Sequence, residues 1–133
     1  MNKSHKRQWM RRVAFRSTFK LDDVAKGVTG DLVIRGHYSD VEVTTSYQYH
    51  SGLSFACVTL HHDDVTASMV HGRCYEKVLV DIFHAVLTSR GRLWRLKEDC
   101  LRHFVDAIGE KVMERRHQIG ETIRRIEDEE GGD

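Results

Sequence analysis

From Val41 to His50 the chain alternates strictly: Val41, Val43, Thr45, Tyr47 and Tyr49 against Glu42, Thr44, Ser46, Gln48 and His50. A two-residue period puts one set on each face of an extended strand. Ser51-Gly52 marks a turn behind it, and Leu53 to Leu60, nearly all apolar or small, is the expected central strand of a sheet. His61-His62-Asp63-Asp64 supplies the next turn, Val65 to Val70 a further strand, and Asp31 to His37 one in front. Connections this short join only antiparallel neighbours, so residues 31–70 are expected to form an antiparallel β-meander of about four strands.

Beyond residue 70 the period changes. Tyr75, Val78, Leu79, Ile82, Phe83 and Val86 follow the spacing of an amphipathic helix over 73–88, ending near Ser89-Arg90-Gly91, with its apolar face on the sheet. A second helix is predicted over 93–127, through Leu96, Cys100, Leu101, Phe104, Val105, Ile108 and Val112, with Glu98/Arg102 and Glu121/Arg125 as favourable i,i+4 pairs. Gly109 and Gly120 are where so long a helix would break. A sheet followed by helices, without β/α alternation, is the α+β class. The core expected from these patterns is Leu53, Phe55, Val58, Leu60, Val78, Leu79, Ile82, Phe83, Val86, Leu101, Phe104, Val105 and Ile108.

The first twenty residues carry two patterns at once. Trp9 and Val13 share a helical face, whereas Val13, Phe15, Ser17 and Phe19 alternate as a strand would, so a basic helical turn running into an extended segment is expected. Thr18 to Lys26 is read as a short helix, with Thr18 at its N-cap, Asp22 and Asp23 in its first turn and Gly27 at its end.

Composition adds limits. At 133 residues the chain holds one core. The expected organisation is a basic N-terminal arm (1–20), a single α+β domain (21–127) and an acidic flexible tail (128–133). No apolar run reaches the roughly 18 residues of a membrane span. Arg11, Arg12 and Arg16 interrupt the only stretch placed as a signal-peptide core would be. Cys57, Cys74 and Cys100 form no CxxC pair, and an odd number of unpaired thiols suits a reducing, cytoplasmic setting. The net charge of +1 hides segregation: residues 1–20 have seven Lys/Arg and no acid, while residues 110–133 have five bases against eight acids. That asymmetry bears on partners more than the net value does.

Catalytic chemistry finds little support. His50, His61, His62 and His71, with Asp63, Asp64 and Cys74, are all metal-ligand types, but adjacent His61 and His62 on one strand face opposite ways, and His71-x2-Cys74 is half a zinc pattern. Asp81/His84, Asp99/His103 and His103/Asp106 are helical carboxylate–imidazole pairs without a recognisable nucleophile. GxSxG, GxxxxGK[ST] and GxGxxG are absent. No catalytic residue, metal ligand or cofactor is assigned.

The basic head is the stronger candidate. Lys3, Lys6, Arg7, Arg11, Arg12 and Arg16 are interleaved with Trp9 and Phe15, and Arg92 and Arg95 flank Trp94 further along. Cations release counterions from phosphates and aromatics stack on bases, so the mixture suits nucleic acid. A solubilising tail or an acidic protein partner would explain the same charges. The leading reading is a small non-catalytic binding or regulatory protein acting on nucleic acid or on a complex that handles it. The alternatives are a protein–protein inhibitor or adaptor of the mobile-element type, and a histidine-centred metal-dependent or acid–base hydrolase. Val105, Val112, Ile119 and Ile126 recur every seven residues with Ile123 nearby, half the seam of a coiled coil, and predict a homodimer held by Val112, Ile119, Ile123 and Ile126.

Overall fold

The computed structural model describes residues 2–50, 53–69, 73–89, 99–113 and 124–129. Helix α1 (Lys3–Arg16) precedes strands β1 (Phe19–Lys26), β2 (Leu32–Tyr38), β3 (Val41–His50), β4 (Leu53–His62) and β5 (Val65–Met69), and helices α2 (Arg73–Thr88) and α3 (Asp99–Met113) follow. Residues 124–129 are helical again. The sheet order is β1-β2-β3-β4-β5, with every pair antiparallel. The chain is therefore α+β with a β-meander, of five strands.

The added strand is β1, where the sequence pattern predicts a short helix over Thr18–Lys26. A bulge explains the difference. Phe19 pairs with Tyr38 and Leu21 with Gly36, the register then shifts between Leu21 and Asp23, and Val24 pairs with Ile34. The extra residue moves the inward phase from odd to even positions. Inward residues at 19, 21 and 24 no longer alternate strictly, so the period of a strand is lost. Gly36 belongs to the same feature, because a methyl group there would lie 2.2 Å from the Phe19 ring and 2.5 Å from the Lys20 carbonyl oxygen.

Facing residues across the sheet share a side, and one side is covered. Leu32, Ile34 and Tyr38 on β2, Val41, Val43, Thr45 and Tyr47 on β3, Val58 and Leu60 on β4, and Val65 and Met69 on β5 are all buried. Each helix meets that side. The Tyr38 hydroxyl donates to Asp81 of α2 at 2.7 Å, Tyr47 packs edge-on against Phe104 of α3 at 5.2 Å, and His62 lies 4.5 Å from Trp9 of α1. Val58, Leu60, Val78, Leu79, Ile82, Phe83, Val86, Leu101, Phe104 and Ile108 are core as expected, and Val105 is partly buried against them. Leu53 and Phe55 lie on β4. The opposite side presents Arg35, His37, Glu42, Thr44, Ser46, Thr59, His61, Thr66 and Ser68, none buried.

The expected helix in the basic N-terminal arm is α1, a 14-residue helix whose Met10 and Ala14 are 0% and 1% exposed within the common core. Gly109 is not a break, because it lies inside α3 where a methyl would come 3.2 Å from the Phe83 ring, a close helix–helix approach. Of the residues expected in a dimer seam, Val112 is buried in the chain's own core and Ile126 packs partly against it. Ile119, Ile123 and Gly120 lie outside the described residues.

Candidate nucleic-acid interface

Helix α1 begins where Asn2 caps it, the side-chain oxygen accepting from the His5 backbone N–H at 2.9 Å. With no acid in its first turn and six Lys/Arg among its residues, it is a poor helix in isolation. Arg7/Arg11 and Arg12/Arg16 are like-charged i,i+4 pairs, each of which destabilises a helix by about 0.2–0.5 kcal/mol. Tertiary contacts hold it instead. Met10 and Ala14 seat it on the sheet, and Lys6 Nζ donates to Asp64 in the β4–β5 turn at 2.9 Å. The Asp64 carboxylate, through that hydrogen bond, raises Lys6 above the ordinary ammonium value.

The C-terminal end of α1 is fixed by a relay through α2. Lys77 Nζ donates to the Ala14 carbonyl at 2.8 Å and to Asp81 Oδ2 at 2.6 Å, and the Tyr38 hydroxyl donates to the same carboxylate oxygen. Ala14 carries one of the last four carbonyls of the helix, which lack intrahelical partners, so an ammonium there also meets the negative end of the helix dipole. Sheet, α2 and α1 are thereby tied together by one chain of hydrogen bonds. Lys77 and Asp81 were legible only as an i,i+4 pair; Tyr38 gave no sequence signal for this role.

What remains outward is basic. Arg7, Arg11, Arg12 and Arg16 are exposed, as is Lys20 just beyond the helix, and Phe15 stands among them at 46% exposure. Trp9 is half-buried against His62, with Arg12, Val13, Arg16 and Ser17 beside it. The expected basic residues thus divide. Arg7, Arg11, Arg12 and Arg16 form an outward face, Lys6 is a docking residue and Trp9 a bordering one. Lys3 opens the helix. Arg92 and Arg95 lie outside the described residues.

The histidine and carboxylate pairs are otherwise engaged. His61 faces the open side and is hydrogen-bonded to Thr66 at 2.8 Å, while His62 on the covered side lies between Asp40 (3.7 Å) and Asp63 (3.3 Å). No group of three or more His, Cys, Asp or Glu residues is gathered for a metal among the described residues. His50 is on β3, Cys74 is on α2, and His71 lies outside the described residues. Asp81 serves Tyr38 and Lys77, and His103 shares a hydrogen bond with Tyr47 and stacks on Tyr49 at 3.7 Å. No described helix is long and apolar enough to cross a membrane. No protein-family model matches the chain, and comparison with curated proteins and with solved structures returns no similar protein.

Proposed function

We propose that the protein is a non-catalytic binding protein that contacts nucleic acid through the outward face of α1. The observation that supports this most is the cost of the arrangement. Four exposed arginines stand at i,i+4 spacing on a helix without a single acid, and a packed core with a part-buried hydrogen-bond relay holds that helix in place. A solubilising tail needs no such seat. Polyanion binding rewards it, because each phosphate neutralised releases condensed counterions.

The test is a salt titration of binding to random-sequence DNA and RNA. The log–log slope should fall by about 0.7–0.9 for each phosphate contact removed when Arg11, Arg12 and Arg16 are changed to Ala together. Binding that survives this triple change intact overturns the proposal. The polar sheet face opposite the helices, covered by no described element, favours a second reading as a protein–protein adaptor. Absence of any salt-dependent nucleic-acid binding selects that reading.

A further inference from the structure

On an α-helix, side chains four residues apart form ridges with grooves between them. Such a groove runs along α1, about 370 Å³ in volume, with Trp9, Val13 and Ser17 on one side and Arg12 and Arg16 on the other. We infer that it takes an unstacked base of single-stranded nucleic acid, stacked on Trp9, with the guanidinium groups of Arg12 and Arg16 on the flanking phosphates. The inference rests on the nucleic-acid reading above and narrows it to single strands.

Three observations carry it. The Trp9 ring is a fixed surface, not a mobile one, because its other side is held 4.5 Å from His62, itself set between Asp40 and Asp63. Val13 gives the groove an apolar wall that suits the face of a base, and the Ser17 hydroxyl offers a polar end. Arg12 and Arg16 are both exposed and have no ion-pair partner among the described residues, so their charge is uncompensated where phosphates would lie. Aromatic stacking with cationic tracking of the backbone is how sequence-tolerant single-strand sites work. A duplex keeps its bases stacked and cannot present one to a groove without unpairing it.

The only tryptophans are Trp9 and Trp94, so Trp94→Phe leaves Trp9 as sole emitter. That variant is titrated at fixed salt with oligo(dT), oligo(U), an abasic strand of equal length and a duplex. The expected result is saturable quenching of Trp9 by the base-bearing single strands, with weaker binding of the abasic strand and the duplex. Trp9→Leu should lower single-strand affinity about 5- to 150-fold, the range for losing one stacked base. Trp9 also contributes to docking, so Arg12→Ala/Arg16→Ala, both at exposed positions, is the second variant and should lose quenching with an unchanged circular dichroism spectrum. If Trp94→Phe does not fold, the Trp9 indole N–H resonance of the wild-type protein gives the same readout. Equal affinity for duplex, or for the abasic strand, or tight single-strand binding without any response of Trp9, overturns the groove and leaves the proposed function standing. No binding to any of the four removes both.

Discussion

Two residues show how the sheet interior and its turns answer to local chemistry. Thr45 lies at the centre of β3, fully buried between Ile34 and Val58, and its hydroxyl has no hydrogen-bond partner among the described residues. A buried unsatisfied hydroxyl costs about 1–3 kcal/mol, so Thr45→Val, of nearly the same shape, should raise stability by about 1 kcal/mol in urea unfolding. A loss instead would mean that the hydroxyl is satisfied in solution. Asp31 is the opposite case. Ser46 Oγ donates to it at 2.5 Å and Thr29 Oγ1 at 2.7 Å, and its carbonyl accepts from the Gly27 N–H at 2.7 Å across the β1–β2 turn, where Gly30 takes a positive φ of 85°. The Ser46 bond first, then that from Thr29, holds the Asp31 carboxyl below the usual carboxylate range. A depressed folded pKa means that the stabilisation is complete above the unfolded value and fades as pH falls through the folded one. Below about pH 4, wild-type stability should therefore fall more steeply with acid than that of Asp31→Asn. Parallel curves in that window would show that the turn does not depend on this charge.

At the scale of elements, α1 turns from an appendage into part of the core. Met10→Ala should cost about 2–5 kcal/mol, as for other buried Met-to-Ala changes, measured by denaturant unfolding. Deleting residues 1–16 should be at least as harmful, while the exposed Arg11, Arg12 and Arg16 changes should shift stability by no more than about 0.5 kcal/mol each. That contrast separates the role of the helix in folding from its role in binding. The sequence made most of the fold legible. The Val41–Tyr49 alternation, the helix over 73–88 and the apolar positions of α3 survive in the structure because their periods are long and unbroken. Helix α1 was hard to read because, among its residues with described burial, only Met10 and Ala14 are fully buried, too few to show a 3.6-residue period among the charges. Strand β1 was hard to read because one bulged residue broke its alternation. Gly36→Ala tests that bulge: the Lys20 carbonyl is backbone and cannot step aside cheaply, so a loss of about 1–3 kcal/mol is expected, centred on β1 amides in NMR spectra. As for the candidate site, its charges were visible in the sequence, but the relay from Tyr38 to Ala14 was not, since it joins residues far apart in the chain.

Across the whole molecule the separation of charge acquires a geometry. Arg125 lines a cleft of about 700 Å³ together with Ser17 and Thr18, which follow directly on α1, and with Lys77 and His84 of α2. The acidic run therefore starts beside the end of the basic helix, for Glu127, Asp128 and Glu129 come two to four residues after Arg125 and are exposed. Charges within a Debye length, about 8 Å at physiological salt, still interact through solvent. Exposed ion pairs are individually weak, about 0.2–1 kcal/mol each, but three acids acting together on a face that binds phosphate lower its potential for every strand that approaches. The acidic end should thus compete with nucleic acid for the neighbourhood of Arg16. A chain ending at Ile126 should bind single strands about 3- to 10-fold more tightly at low salt, and the difference should shrink as salt rises, because the competing interaction is screened as well. Replacing Glu127, Asp128 and Glu129 by Gln, Asn and Gln keeps the length and should give most of the same gain, which separates charge from bulk. Equal affinities for the full-length and shortened chains at all salt concentrations would show that the acidic end does not act on the helix. A gain in the shortened chain that the neutral variant fails to reproduce would assign the effect to steric cover instead.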